Sequence, residues 1–299
     1  MSSASGLRTP PPTSIRARRT RFDLSATPLH WVPGDPQSAH LMDVLHIMLP
    51  PGERWFCDVF REALPLVTDE RLREDVKGFM GQESTHARAH ELARDHLSAH
   101  GIDTTRPMAQ AEWLRTRLGG KSPFGLSLPS PLARWWLVTR LSSIAAVEHF
   151  TAVLGYWILD ADALDAVEAD PQMLDLLRWH GAEEVEHRSV AFDVFQHVSG
   201  SYARRVTSML AVGLGLNIAF LVGGVRLLSA DPATDQRFSF RQWSRSAREG
   251  RIPPPWFIWK AMPRYLRRDH HPSQEGSSEP AATYLASSPG VVAVSRARL

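Results

Sequence analysis

The sequence predicts an all-α protein built around a four-helix bundle, with additional helices on its C-terminal side. Three observations predict it. Long runs with helical spacing of apolar residues open at cap or proline signals and stop at glycine. Short alternating runs bounded by Asn-Gly or Asp-Gly are absent, and four of the helical runs carry a repeated pattern of glutamate and histidine. With 299 residues, 43% of them hydrophobic, the chain can bury a large core.

Residues 1–21 hold five arginines and no acid and read as a disordered basic tail. The bundle domain is expected over 22–200, beginning with an irregular, turn-rich stretch to residue 40. A helix over 41–49 is expected to end at Pro50-Pro51-Gly52, and a second to open at Glu53 and stop near Leu64-Pro65, because proline removes an amide donor and disfavours helix before it. Thr68 is read as the cap of a long amphipathic helix that stops at Gly101. Residues 101–129 form a Gly/Pro-punctuated connection with a short helix near 109–118. Ser130-Pro131 opens a helix running to about Asp160, and Asp170-Pro171 opens another that continues to Ser199-Gly200. Residues 201–230 are an apolar helix or a re-entrant hairpin, 231–271 a basic, aromatic helical segment, and 272–299 a disordered tail.

The net charge of +2 conceals a segregation. Nine basic residues face one acid between 237 and 268, so the bundle between the two basic flanks is acidic. A lone Cys57 excludes an internal disulfide framework and CxxC zinc sites. No P-loop, dinucleotide glycine fingerprint or GxSxG elbow is present, which removes the commonest nucleotide and serine-hydrolase chemistries.

Four helical runs carry, in chain order, Glu53, the ExxH pair Glu83/His86, Glu148, and a second ExxH pair Glu184/His187. Residues three apart lie on one face of a helix, about 4.5 Å apart along its axis, so each ExxH offers a carboxylate and an imidazole to one metal while the lone glutamates can bridge two. Glu148 lies in the apolar string SSIAAVEHFTAVLGYW, where a carboxylate needs a cationic partner. This is how ferritin-like bundles hold di-iron or di-manganese carboxylate centres. His180 falls on the stripe of Glu184 and His187, and His90 on that of His86, so each competes for a further ligand position. The other reading of either is a histidine that supports a carboxylate. His149 directly follows Glu148 and so points to another face, while His30, His40 and His46 have no partner at helical spacing; all four read as structural, as do Glu183 and Glu186 through salt bridges. Trp55 and Trp179 are read as core packing in preference to pocket walls, and Cys57 as small and buried.

The HxxxExxH helix resembles that of the arylamine N-oxygenases, di-iron enzymes that activate dioxygen. The resemblance implies a seven-ligand set here: Glu53, Glu83, His86, Glu148, His180, Glu184 and His187. The strings RRTRFDLSATPLHWVPGDP, LPPGERWF, FMGQESTHARAH, VEHFTA and WHGAEEVEHRSVAFDVF resemble the bacterial predicted metal-dependent hydrolases over most of 18–200, with RYLRRDHHP a weaker match beyond. The expected cofactors are two metal ions, iron first and manganese next. The expected activity is dioxygen-dependent oxidation of a hydrophobic, lipid-like substrate with an electron-donor reductase. The alternatives are metal-assisted hydrolysis of an ester, amide or phosphate and a non-catalytic metal-binding bundle.

Residues 206–225 form a charge-free run long enough to cross a bilayer, flanked by Arg204-Arg205 and Arg226. A single span would place the basic segment 237–268 opposite the bundle, against the positive-inside tendency. Membrane contact or a buried helix fits better. With no apolar signal region in the first 21 residues, a cytoplasmic protein is expected, at most peripheral to the inner face of the membrane. No nucleic-acid partner is expected, since no reading module accompanies the basic residues.

Overall fold

The computed structural model describes residues 15–296, and among them there is no β-strand. α1 (Pro36–Ala63), α2 (Glu70–Ala99), α4 (Ser130–Leu159) and α6 (Pro171–His187) make the bundle, after which α3 is taken as Thr105–Trp113 and α5 as Asp162–Ala166. α1 packs on α2 and α4 on α6, while α3 lies on α1. Beyond the bundle come α7 (Val190–Val198), α8 (Tyr202–Ala230), α9 (Phe240–Arg248), α10 (Phe257–Tyr265), α11 (Glu279–Ser287) and α12 (Pro289–Arg296). α8 covers the groove between α1 and α4, and α10 packs on α8 and α4.

Several boundaries differ from those the sequence predicts. α1 runs unbroken through Pro50 and Pro51, so the two expected helices are one. Both prolines are buried, and the turns on either side bury Leu41, Leu45, Phe56 and Phe60, so packing outweighs the few kcal/mol that a helical proline costs. The cap of α2 is Asp69, one residue after Thr68; its carboxylate accepts from the Leu72 amide at 2.8 Å. The short helix of the connection begins earlier, at Thr105, and passes into a π turn over Leu114–Leu118. The expected helix from 171 to 199 breaks after His187 and resumes at Val190. Asp170 caps α6 as expected, accepting from the amides of Gln172 and Met173. Residues 202–230 are one continuous helix, which removes the hairpin alternative.

The tails also depart from expectation. Residues 1–14 and 297–299 lie outside the described residues. Residues 15–21, expected to be disordered, are docked on the bundle because Arg18 reaches two carboxylates of α6. The C-terminal stretch, expected to be disordered, forms α11 and α12. Its polar residues are not linker-like, since buried Asp175 accepts from the Tyr284 and Ser288 hydroxyls and the Gly290 amide, and Ala281 and Leu285 enter the core.

Two glycine contacts set the helix spacing that matters for the site. A Cβ on Gly155 would stand 2.3 Å from the Gly181 carbonyl oxygen, so α4 and α6 touch backbone to backbone. Gly224 likewise brings α8 onto Leu41 of α1, where a Cβ would meet Cδ2 at 2.5 Å. Two helices, Ser130–Leu159 and Tyr202–Ala230, are long and apolar enough to cross a membrane. The first is mostly buried in the bundle; the second exposes Leu210, Leu214, Ile218 and Val222 in an i, i+4 stripe.

Candidate metal centre

The close approach of α4 and α6 brings Glu148, two turns before Gly155, toward Glu184, one turn after Gly181. α1 and α2 supply the facing wall. The Glu53, Glu83, His86, Glu148, His180, Glu184 and His187 side chains are all buried, His180 the most exposed of them at 6%. They lie between two hydrophobic clusters, one around Trp31, Leu41 and Leu176, the other around Phe60, Phe79 and Ile144.

These side chains converge. His187 Nε2 stands 3.3 Å from Glu83 Oε1, 3.2 Å from Glu148 Oε2 and 3.3 Å from Glu184 Oε2. His86 Nδ1 stands 3.5 Å from Glu83 Oε1 and 3.4 Å from Glu184 Oε1. His180 Nε2 is 2.8 Å from Glu184 Oε1 and 3.8 Å from Glu53 Oε1. Two triads, Glu53/His86/His180 and Glu83/Glu184/His187, each bring three donor atoms within 4.8 Å of one another.

The chemistry of the donor set tests whether cations fit. Both carboxylate oxygens of Glu53, Glu83 and Glu148, together with Glu184 Oε2, His86 Nδ1 and His187 Nε2, are buried with no hydrogen-bond partner. Four carboxylates gathered without compensation would repel strongly in a medium of low polarity. Two divalent cations among them would satisfy the orphaned atoms and offset the charge, so the residues fit a dinuclear centre.

The proton affinities point the same way. Burial first, and then Glu83, push Glu53 well above the usual carboxylate range. Burial and then the Glu184 charge push Glu148 up to about 8. Burial alone would raise Glu184, but His187 and the hydrogen bond from His180 outweigh it and hold this carboxyl low. Burial disfavours the charged form of His86 and His187, yet both stand well above the ordinary imidazole value. The hydrogen bond to Glu183 and the nearby Glu184 and Glu83 carboxylates raise the first, and the adjacent Glu184 and Glu148 carboxylates raise the second. Burial and the neighbouring His86 lower His180.

Around the cradle lies a set of supports, of which the sequence offered only His90, as one of two readings. Glu183, expected only to make a salt bridge, takes Arg18 at 2.8 Å and also receives His86 Nε2 at 2.9 Å. It thereby turns Nδ1 of that ring toward the carboxylates. Gln82 Oε1 holds His187 Nδ1 at 3.0 Å, while its amide donates to Glu186, which Arg18 clamps through both oxygens. His90 has both nitrogens engaged, Nε2 with His180 Nδ1 at 2.6 Å and Nδ1 with His46 Nδ1 at 2.7 Å. It therefore supports His180 and offers no nitrogen to the cradle.

His46 is partnered by His90, and His30 and His40 both bond Asp231, at 2.6 and 2.8 Å. His149 Nε2 faces the Ala261 carbonyl, with His270 and Glu275 nearby. Contrary to expectation, His40 and His46 do have a partner at helical spacing, Asp43, at 3.1 and 3.8 Å; the other partners come from distant segments. Trp179 packs edge-on against His86, and Trp55 donates to the Gly119 carbonyl; Cys57 is buried beside Ser84.

A family model described as predicted metal-dependent hydrolase matches residues 16–276. The chain belongs to the predicted metal-dependent hydrolase family. No curated protein and no solved structure matches it. The match begins two residues before Arg18 and takes in every residue of the cradle, so metal dependence in this family and the histidine-carboxylate groups of the chain agree. For this metal-dependent hydrolase family member, Arg18→Gln is expected to lower metal affinity about 10- to 100-fold, the usual cost of removing support behind a ligand. Competition with a chromophoric chelator measures it, and an unchanged affinity would show that Glu183 orients His86 without help.

Proposed function

We propose that the cradle holds two iron ions and that the protein is a di-iron oxidase or oxygenase acting on a hydrophobic organic substrate. The observation that carries this reading is the set of orphaned carboxylate and imidazole atoms from four helices, gathered in two triads beside an apolar chamber that reaches His180 and Glu184. Carboxylate and imidazole donors without thiolate suit iron or manganese. Bound iron would supply dioxygen activation, with electrons drawn from a reductase partner.

The chain's own part is to hold and exclude. Glu53, Glu83, Glu148 and Glu184 would hold and bridge the ions, and His86, His180 and His187 would complete the set. Arg18, Glu183 and Gln82 fix the ring orientations of His86 and His187, and His90 fixes that of His180. The apolar clusters on either side keep bulk water out, which strengthens every charge interaction inside.

The family description favours a second reading, metal-assisted hydrolysis of an ester, amide or phosphate. Anaerobic loading with Fe(II) separates the two. The oxidative reading expects two irons per chain and an optical change on exposure to oxygen. Failure to bind two irons, or no oxygen-dependent change, overturns it. Turnover of simple esters without oxygen on a redox-inert metal would establish the hydrolytic one.

A further inference from the structure

Two cavities lie on the α1/α4 side of the cradle, and the inner one adjoins it. The outer one, about 100 Å³, lies under α8 and the segment 252–258, with Phe220, Trp243 and Phe257 in its wall. The inner one, about 30 Å³, ends on His180 and Glu184. They share Met42, Leu45 and Leu49 of α1 and Thr151 and Leu154 of α4, so one layer of side chains separates them. The polar groups along the way are satisfied within the protein. Thr151 donates to the Glu148 carbonyl, Asn217 to that of Gly213, and Trp243 to that of Pro253. Short of its inner end, where Glu184 Oε2 is unpartnered, nothing in the passage calls for a polar partner.

Size decides what it takes. An apolar cavity that admits benzene measures roughly 150 Å³. The inner chamber is far smaller, so a ring cannot stand beside His180, whereas the end of a chain one methylene wide can. Half-exposed Pro254, Pro255 and Phe257 open the outer cavity toward solvent, where Trp256 and Lys260 are exposed.

We infer that the two cavities form one corridor for an unbranched aliphatic chain, which enters methyl end first past Leu154 and Thr151 and brings its leading carbons to His180 and Glu184, its polar head remaining near Trp256 and Lys260. This inference rests on the metal-centre reading only for what happens at the inner end. Occupation of the corridor does not depend on it.

The test uses decanoate carrying ¹³C either at its terminal methyl or at its carboxyl carbon. Metal-free protein is expected to bind it saturably and to reject an acid of equal carbon count ending in a cyclohexyl ring. Leu154→Trp, which blocks the partition, is expected to weaken decanoate about tenfold or more. Leu154→Ala is expected to admit the cyclohexyl acid, a gain that misfolding cannot produce. In protein loaded with Mn(II), the terminal-methyl signal of the bound chain is expected to broaden more than the carboxyl signal. No saturable binding to the metal-free protein, equal binding of both acids, or greater broadening at the carboxyl end would each overturn the corridor. Chain binding by protein that takes up no Mn(II) would instead overturn the metal-centre reading and leave the corridor standing.

Discussion

Glu184→Ala is expected to abolish loading of two metals per chain, lowering affinity by more than ~100-fold. Removing a partner behind a ligand already costs 10- to 100-fold, and Glu184 faces three imidazoles at once. Equilibrium dialysis followed by metal analysis measures the change, and retention of both ions would remove Glu184 from the centre. The companion variant Glu53→Met should lose metal as well, but its metal-free form should be more stable than the metal-free native chain. Both oxygens of Glu53 are buried without a hydrogen bond among three other carboxylates. Replacing such a group with an apolar one of similar volume is expected to contribute about 1–3 kcal/mol, a rise of several degrees in Tm. A fall in Tm would mean that the cluster is not strained without cations.

The second large effect is in pH. In the metal-free protein Glu148 titrates near 8, against an ordinary value of 4.5, and Glu53 also stands well above that value. His86 and His187 stand well above 6.5. The folded cradle therefore binds more protons than the unfolded chain between about pH 4.5 and 8, and its contribution to stability falls as pH rises through that window. Glu184 and His180, both held low, have the opposite sign, and their effects are confined to pH below their ordinary values of 4.5 and 6.5. The metal-free protein should lose stability on the order of a few kcal/mol from pH 6.5 to pH 8, above the range in which the lowered histidines His46, His90 and His180 oppose the trend, read as a Tm lower by about 5–10 °C. Cations take the place of these protons, so loading should release protons and the loaded protein should not show the decline. Calorimetry in buffers of different ionisation heats counts the released protons. A Tm of the metal-free form that rises with pH would contradict the assigned protonation.

What the sequence disclosed and what it hid divide along a physical line. The ExxH pairs were legible because an i,i+3 relation is fixed by the helix itself, and Glu148 because its neighbours are apolar. The supports were not legible, because Glu183 meets His86 across 97 residues and Gln82 meets Glu186 across 104. No local rule predicts such meetings. The same distinction explains α1, where two prolines are a strong local stop signal that tertiary burial overrides. It also explains the C-terminal segment, whose small polar composition suits a linker until Asp175 supplies an acceptor for its hydroxyls and amide.

The strap made by Arg18 has a consequence for the order of assembly. Its contacts with Glu183 and Glu186 join points 165 and 168 residues apart. A growing chain can complete α1 and α2 and present Glu53, Glu83 and His86 long before α6 exists. Until then His86 lacks the carboxylate that turns its ring, and Arg18 lacks both of its acceptors. Metal capture in the final geometry therefore comes late in the life of the nascent polypeptide, when its first and last bundle segments have met. Early lengths of the chain can fold as helices before the full set of donors for a metal exists.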